Sequence, residues 1–375
     1  DHCLGGVFCH REAKTTHEFL FEIKFFYHLH RLCAHEGLIS SRQMAWINQM
    51  TRYLSSFSLF CFIALIGCNK TDTDSGNKQL RIAVIPKGTT HEFWKSGEAG
   101  AKKAGEELGV EVIWKGPQQE SDRAGQLKVV ENFITQRVDG IALAPLDDKV
   151  LVRPVKEAHA AGIKVAVWDS GLDESAGEAV ISNIMTNNFG AGKECGKRLA
   201  SLMKNTGKII MLRHAVNHAS TTNREEGFLA GIKESAPDIE LVSIGQRGGV
   251  SIDEALKASE NLLNQFGDSI QGVFTPNEST TQGMLRALDE AGLAGKISFV
   301  GFDTNDSLLS ALRKNKISAL AVQDPFRMGY TAVRNIVASI KGESFEADVD
   351  TGAVLLDLEN IDSQEVKELL NPSEK

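Results

Sequence analysis

The chain has 375 residues, 42% of them hydrophobic and 24% charged, with a formal net charge of −8. That length accommodates two ordinary domains, each with its own core. The first 67 residues carry six Lys and Arg against five Asp and Glu, so the rest of the chain stands at −9, an acidic balance that repels phosphate backbones and excludes a general nucleic-acid binder.

Residues 1–49 hold six of the ten His and three of the six Cys. The spacing of Cys3, Cys9 and Cys33 matches no zinc pattern. The segment is expected to be upstream sequence without a function, because a complete export signal begins after it, at Met50. Arg52 supplies a positive flank, and residues 54–66, LSSFSLFCFIALI, form an apolar run of thirteen. This is too short for a permanent membrane span and has the length of a signal-peptide core. It ends in Leu65-Ile66-Gly67-Cys68, which resembles a bacterial lipobox; residues 50–67 then read as a lipoprotein signal and Cys68 as the lipidated residue. The polar stretch 68–79 reads as a flexible tether. Only Cys68 and Cys195 remain after such processing, so no disulfide is expected, and Cys195 reads as a small packed residue.

From residue 80 onward, short β-rich runs alternate with amphipathic helical stretches, the pattern of βαβ units on a parallel sheet. RIAVI (81–85) is a strand, and 93–109 a helix stopped by Gly109. VEVIWK, DGIALAP and KVAVWDSG are further strands, with RAGQLKVVENFITQ and VLVRPVKEAHAAG as the helices between them. The same order recurs about 125 residues later as KIIMLRH, NREEGFLAGIKESA, IELVSIG, IDEALKASENLLNQF, IQGVFTP, TQGMLRALDEAGLAG and ISFVGFD. Two lobes of similar α/β fold follow, and short solenoid repeats are excluded.

Open parallel sheets bind ligands beyond the carboxyl ends of their strands. The residues there are His91, Phe93, Trp94, Asp169, Asn277, Asp303 and Gln323. Carboxylates and amides match vicinal hydroxyls, and aromatic faces cover the C–H face of a sugar ring.

HEFWKSGEAGAKKA, VWDSG, TTNREEGF, VFTPNESTTQGMLRAL, FVGFDTN and AVQDPFRMG together resemble the periplasmic sugar-binding proteins of the ribose/galactose type, over residues 80 to about 360. The resemblance implies two three-layer, Rossmann-like lobes joined by a three-strand hinge, crossed near residues 186, 324 and 351. The lobes would be 80–186 with 324–351, and 187–323 with 352–375. It implies ring-stacking aromatics at Phe93 and Trp94, and polar ligand contacts at Asp169, Arg224, Asn277, Asp303 and Gln323. At three ligand positions the ribose-binding pattern has Asn, Arg and Phe, and this chain has His91, Ser170 and Val250. Ribose gives way to a broader class, a pentose, hexose or close relative, in a pocket widened or re-polarised.

Simpler roles compete. Asp169 and Asp303 suit caps, Arg224 suits a surface pair with Glu225 or Glu226, and Trp114 and Trp168 suit the core. His214 and His218 fall in a loop beyond a strand and are left out of the site. The implied function is an extracytoplasmic, lipid-anchored, monomeric binding protein serving the membrane permease subunits of an ABC importer, with no cofactor, metal or nucleic acid. A chemoreceptor-presenting role and a lactose-repressor-type effector core are alternatives, but the repressor needs a basic helix-turn-helix where the export signal stands. An NAD-linked enzyme needs G-x-G-x-x-G; Gly190-Ala-Gly192-Lys-Glu-Cys-Gly196 has one residue too many and reads as the start of a close-packed helix.

Overall fold

The computed structural model describes residues 79–371. The export signal, Cys68 and most of the tether lie outside them. Four strands with helices between them open the first sheet: β1 (Arg81–Ile85), β2 (Glu111–Trp114), β3 (Gly140–Leu143) and β4 (Lys164–Trp168). The helices α1 (Glu92–Leu108), α2 (Arg123–Thr135) and α3 (Val152–Ala160) alternate with them. After β5 (Ser182–Met185) the chain enters α4 (Asn188–Leu202) and repeats the pattern. The strands β6 (Lys208–Met211), β7 (Glu240–Ser243), β8 (Gly272–Phe274), β9 (Ser298–Phe302) and β10 (Ala319–Gln323) are separated by α5 (Ala219–Ser235), α6 (Ile252–Phe266), α7 (Glu278–Glu290) and α8 (Asp306–Arg313). It then returns through α9 (Pro325–Lys341) and β11 (Asp348–Asp350) before ending in β12 (Ala353–Leu356) and α10 (Gln364–Leu370).

The first sheet runs β11-β5-β4-β3-β1-β2 and the second β12-β10-β9-β8-β6-β7. Every pairing is parallel except β10 with β12. Each sheet therefore has the order second-first-third-fourth-fifth, with its switch point beside the first strand. The two-lobed, parallel α/β architecture predicted from the pattern is present. The chain leaves the first sheet after Met185, leaves the second after Gln323, and passes once more from β11 to β12.

Strand residues alternate between two cores, as the pleat requires. Ile82 and Val84 pack with Ala101 and Ala104 of α1 and with Met328 and Ile336 of α9. Ala83 and Ile85 pack on the other face with Val130 and Phe133 of α2 and Val155 of α3. The second sheet is sandwiched likewise, Ile209 and Met211 facing Cys195, Leu199 and Phe228, and Ile210 and Val273 facing Leu262, Met284 and Leu288. Three layers per lobe result.

In each lobe the helix after the first strand packs closely on the helix by which the chain arrives from the other sheet, α9 on α1 and α4 on α5. A Cβ at Gly100 of α1 would strike the Phe326 carbonyl of α9, and one at Gly192 of α4 would strike the Arg224 carbonyl of α5. Gly192 and Gly196 of the near-miss dinucleotide string thus serve helix packing, and Gly190 lies under the Asn187 cap. Two helices begin earlier than the sequence pattern suggests. α5 starts at Ala219, with His218 at its N-cap position, and α7 starts at Glu278 behind a capping box from Asn277; polar first turns hid both starts from an apolar-period reading. Among the described residues, no helix is long and apolar enough to cross a membrane.

Candidate functional site

The strand ends of both sheets converge on a buried cavity of about 30 Å³. Of the ten residues singled out as ligand contacts, His91, Phe93, Trp94, Asp169, Arg224, Asn277, Asp303 and Gln323 line it. Ser170 lies just behind, buried, its Oγ accepting from Ser220 N at 3.2 Å. Val250 is not brought there; it precedes α6, where its N–H donates to Glu254 Oε2 at 3.0 Å, because Ser251 and Glu254 form the capping box that starts that helix. A wider groove of about 990 Å³ opens nearby between helix surfaces and shares Phe93, Glu278, Asp303 and Gln323 with the cavity. The buried polar groups of both lobes converge in the smaller space.

Asp169 and Asp303 occupy equivalent places, the first residue after the fourth strand of each half. Both have left-handed backbone, with φ of 63° and 65°, a conformation Asp tolerates better than most side chains and one found preferentially at functional sites. Neither caps a helix: Asn305 caps α8. Their N–H groups stay in the ladder, Asp169 N donating to Ile184 O at 2.9 Å and Asp303 N to Ala321 O at 2.8 Å.

In the second lobe one network links the polar side chains. Arg224 donates from Nε to Asn188 Oδ1 (2.7 Å), from one terminal nitrogen to Pro276 O (3.0 Å), and from the other to Gln323 Oε1 (2.7 Å). Its guanidinium lies 4.3 Å from the Phe302 ring centroid. Gln323 Nε2 donates to Asp303 Oδ1 at 2.7 Å, and Glu278 N to Asp303 Oδ2 at 3.1 Å. Arg224 is thus a buried hub, and it is Arg213 that pairs with Glu225 and Glu226. Asn277 spends its Oδ1 on the α7 cap, accepting from Thr280 Oγ1 at 2.6 Å.

The first lobe supplies a buried ion pair, Lys87 Nζ to Asp169 Oδ2 at 2.7 Å, and an aromatic cluster. Trp94 meets Phe93 and Trp168 edge-on, with ring centroids 4.8 and 5.4 Å away. Its indole N–H donates to Glu120 Oε1 at 2.9 Å, and His91 Nδ1 lies 3.2 Å from the same oxygen. The lobes touch across the cleft: Lys87 Nζ donates to Ser220 Oγ at 3.1 Å, and Asn217 Nδ2 to Asp147 Oδ2 at 3.4 Å.

Burial and charge set the protonation. Burial acts against a charged His91, but the hydrogen bond and charge of Glu120, with Glu278 and Asp303 behind, push it up to about 9. Burial also works against a charged Glu120, yet the His91 bond and the surrounding imidazoles hold its carboxyl far below the usual range. Burial takes His214 down to about 4 and His218 well below its ordinary value, and raises the carboxyls of Glu278 and Asp303.

Sequence reading missed Lys87, Glu120, His214, His218, Ser220, Thr221 and Glu278, all on the cavity wall. Lys87 lies two residues past β1 and reads as a solvated loop lysine. The strand-end rule reached His214 and His218, but nothing local signals that both are 1% exposed. Glu120 sits mid-loop and has no sequence signal.

A family model described as a periplasmic binding protein domain matches residues 82–344. The chain is 27% identical over 277 residues to a D-ribose/D-allose-binding protein of Pseudomonas aeruginosa, a match covering 72% of this chain and 85% of that one. It is 26% identical over 289 residues to the ribose import binding protein of Escherichia coli, covering 77% and 94%. A carbohydrate transporter solute-binding protein from Agrobacterium radiobacter, solved with D-arabinose, superimposes with a TM-score of 0.74 at 32% identity, covering 78% of this chain and 99% of that one. An Agrobacterium vitis solute-binding protein with bound D-fucose gives 0.74, 32%, 76% and 98%.

Proposed function

This chain belongs to the periplasmic binding protein domain family, and from that premise we propose that it captures a monosaccharide between its lobes and delivers it to the membrane subunits of an ABC importer. One observation carries the reading: Asp169 from one sheet and Arg224, Asn277, Asp303 and Gln323 from the other meet around a single buried cavity that Phe93 and Trp94, packed edge-on, also line. Hydroxyl-rich, part-apolar rings are what such a wall matches. The relatives named for ribose and allose, and the structures holding arabinose and fucose, support a pentose or hexose.

Ligand capture proceeds by hinge closure about the three crossings near residues 186, 324 and 351. The polar groups of the two lobes can serve one ligand only when the lobes meet, so the ligand favours the closed state. The protein works as a monomer outside the cytoplasm, held to the membrane by lipid on Cys68. ATP is hydrolysed by a separate subunit.

Calorimetric titration with pentoses, hexoses, polyols and deoxysugars should find a sugar that binds one-to-one. Asp303→Ala leaves Gln323 Nε2 and Glu278 N without their acceptors, which should weaken that sugar by about 2–4 kcal/mol. Silence across the panel, or unchanged affinity in both Asp303→Ala and Asp169→Ala, refutes the pocket assignment.

A further inference from the structure

One wall of the cavity carries a chemistry that hydroxyl recognition does not call for. Glu120, from the loop between β2 and α2, and His214 and His218, from the segment between β6 and α5, each place a donor atom within 4.8 Å of the other two. All three are buried. His214 Nε2 approaches Glu120 Oε2 to 3.9 Å, and the two imidazoles meet edge-on with centroids 4.6 Å apart.

Glu120 and His214 are each gripped from one side and free on the other. Glu120 Oε1 is held by Trp94 Nε1 and His91 Nδ1, which leaves Oε2 facing His214. His214 Nδ1 lies 3.3 Å from Thr221 Oγ1, a contact that turns Nε2 outward with its lone pair. The Nε2 atoms of His214 and His218 are buried and make no hydrogen bond. Leaving a buried polar atom unmatched costs about 1–3 kcal/mol, so two such atoms side by side call for a shared partner.

We propose that Glu120, His214 and His218 bind a divalent transition-metal ion of the zinc class, which ties the two lobes together across the cleft. Two imidazole nitrogens and one carboxylate oxygen are a donor set zinc accepts at about 2.0–2.2 Å, which places tetrahedral donors roughly 3.3 Å apart. The 3.9 Å approach of His214 to Glu120 is near that value, and small side-chain rotations close the rest. Calcium and magnesium, which take oxygen ligands, are disfavoured by the imidazoles. Trp94 and His91 behind Glu120, and Thr221 behind His214, are the outer partners that orient metal ligands. Three protein ligands leave one position for water or a ligand oxygen. Because the carboxylate belongs to one lobe and the imidazoles to the other, only the closed arrangement offers all three, and the ion favours closure.

The full chain, freed of metal with a chelator and kept without sugar, is titrated with ZnCl₂ by calorimetry and with CoCl₂ by visible absorption. Residues 1–49 carry six further histidines, so the readout is the difference from variants that retain them. The wild type should take up one more equivalent of zinc than His214→Asn/His218→Asn, show the absorption of four-coordinate cobalt that this variant lacks, and gain thermal stability with zinc where the variant does not. Glu120→Gln keeps the side chain's shape and should weaken zinc at least tenfold. Asp303→Ala should lose sugar and keep zinc, so failure of the sugar reading leaves this one testable by itself. Equal zinc uptake and equal thermal shifts in the wild type and the double variant overturn the proposal. So does a double variant whose only defect is lost sugar affinity, since the imidazoles then serve ligand hydroxyls.

Discussion

Replacing Lys87 by Met tests whether the buried ion pair organises the cleft. Lys87 and Asp169 lie 2.7 Å apart with side chains 3% and 5% exposed, and Lys87 also reaches Ser220 in the other lobe. Removing one partner of a buried pair strands the other charge, a loss of about 3–5 kcal/mol, whereas neutralising both partners is often close to neutral. Asn tolerates the left-handed backbone of position 169 as Asp does, so Lys87→Met/Asp169→Asn removes both charges with the backbone undisturbed. Urea unfolding should show Lys87→Met losing about 3–4 kcal/mol, and the double variant recovering at least about 2 kcal/mol of it. In thermal melts the single variant should fall by roughly 6–15 °C. A loss below about 1 kcal/mol, or single effects that simply add in the double variant, refutes the stranded-charge argument.

Stability of the metal-free protein should peak near neutral pH. Below about 6.5 the unfolded chain protonates His214 and His218 while the fold, holding His214 near 4, does not, so the unfolded state binds more protons and stability falls with acid. The depressed Glu120 adds to that loss. On the alkaline side, His91 contributes fully below about 6.5 and loses its contribution as pH rises through about 9. Thermal midpoints across pH with chelator present check this; a peak displaced below pH 5 contradicts it. For the anchor, Cys68→Ser should abolish incorporation of labelled fatty acid and release the protein from the membrane fraction, and unchanged labelling refutes lipidation at Cys68.

The fold was legible because its two cues are local. Ile82 to Ile85 and Ile141 to Leu143 are continuous apolar runs, as strands buried on both faces must be, and Gly109 ends its helix in left-handed backbone. The site was legible only where it obeys the strand-end rule: Asp169 and Asp303 follow their strands directly, and Gln323 is the last residue of its own. Asn277 shows the limit of that rule, since an Asn there is both cavity wall and helix cap, and chemistry alone cannot separate the two. Glu120, His214 and His218 were illegible because their meaning lies in a contact between segments some 95 residues apart, one beside each sheet. Cys195 was read as packing and is buried between α4 and the second sheet, its thiol raised by desolvation.

The departures from the ribose-binding pattern now have a physical consequence. The position where that pattern places an Arg holds Ser170, and the cation beside Asp169 comes instead from Lys87 on the loop after β1. A lysine is a point charge and cannot fork to two hydroxyl oxygens as a guanidinium does. It also sits 2.7 Å from Asp169 Oδ2, so part of that carboxylate's charge is already met within the protein. His91, where the pattern has a neutral Asn, adds a second charge against Glu120. The first lobe is therefore re-polarised and partly self-paired. In the second lobe Arg224 has three of its five donors engaged by protein, which leaves two, and Asp303 is aimed by Gln323 and Glu278. On the proposed sugar-binding reading, orientation of the ligand falls mainly to the second lobe, and Asp303→Ala should lower affinity more than Asp169→Ala does.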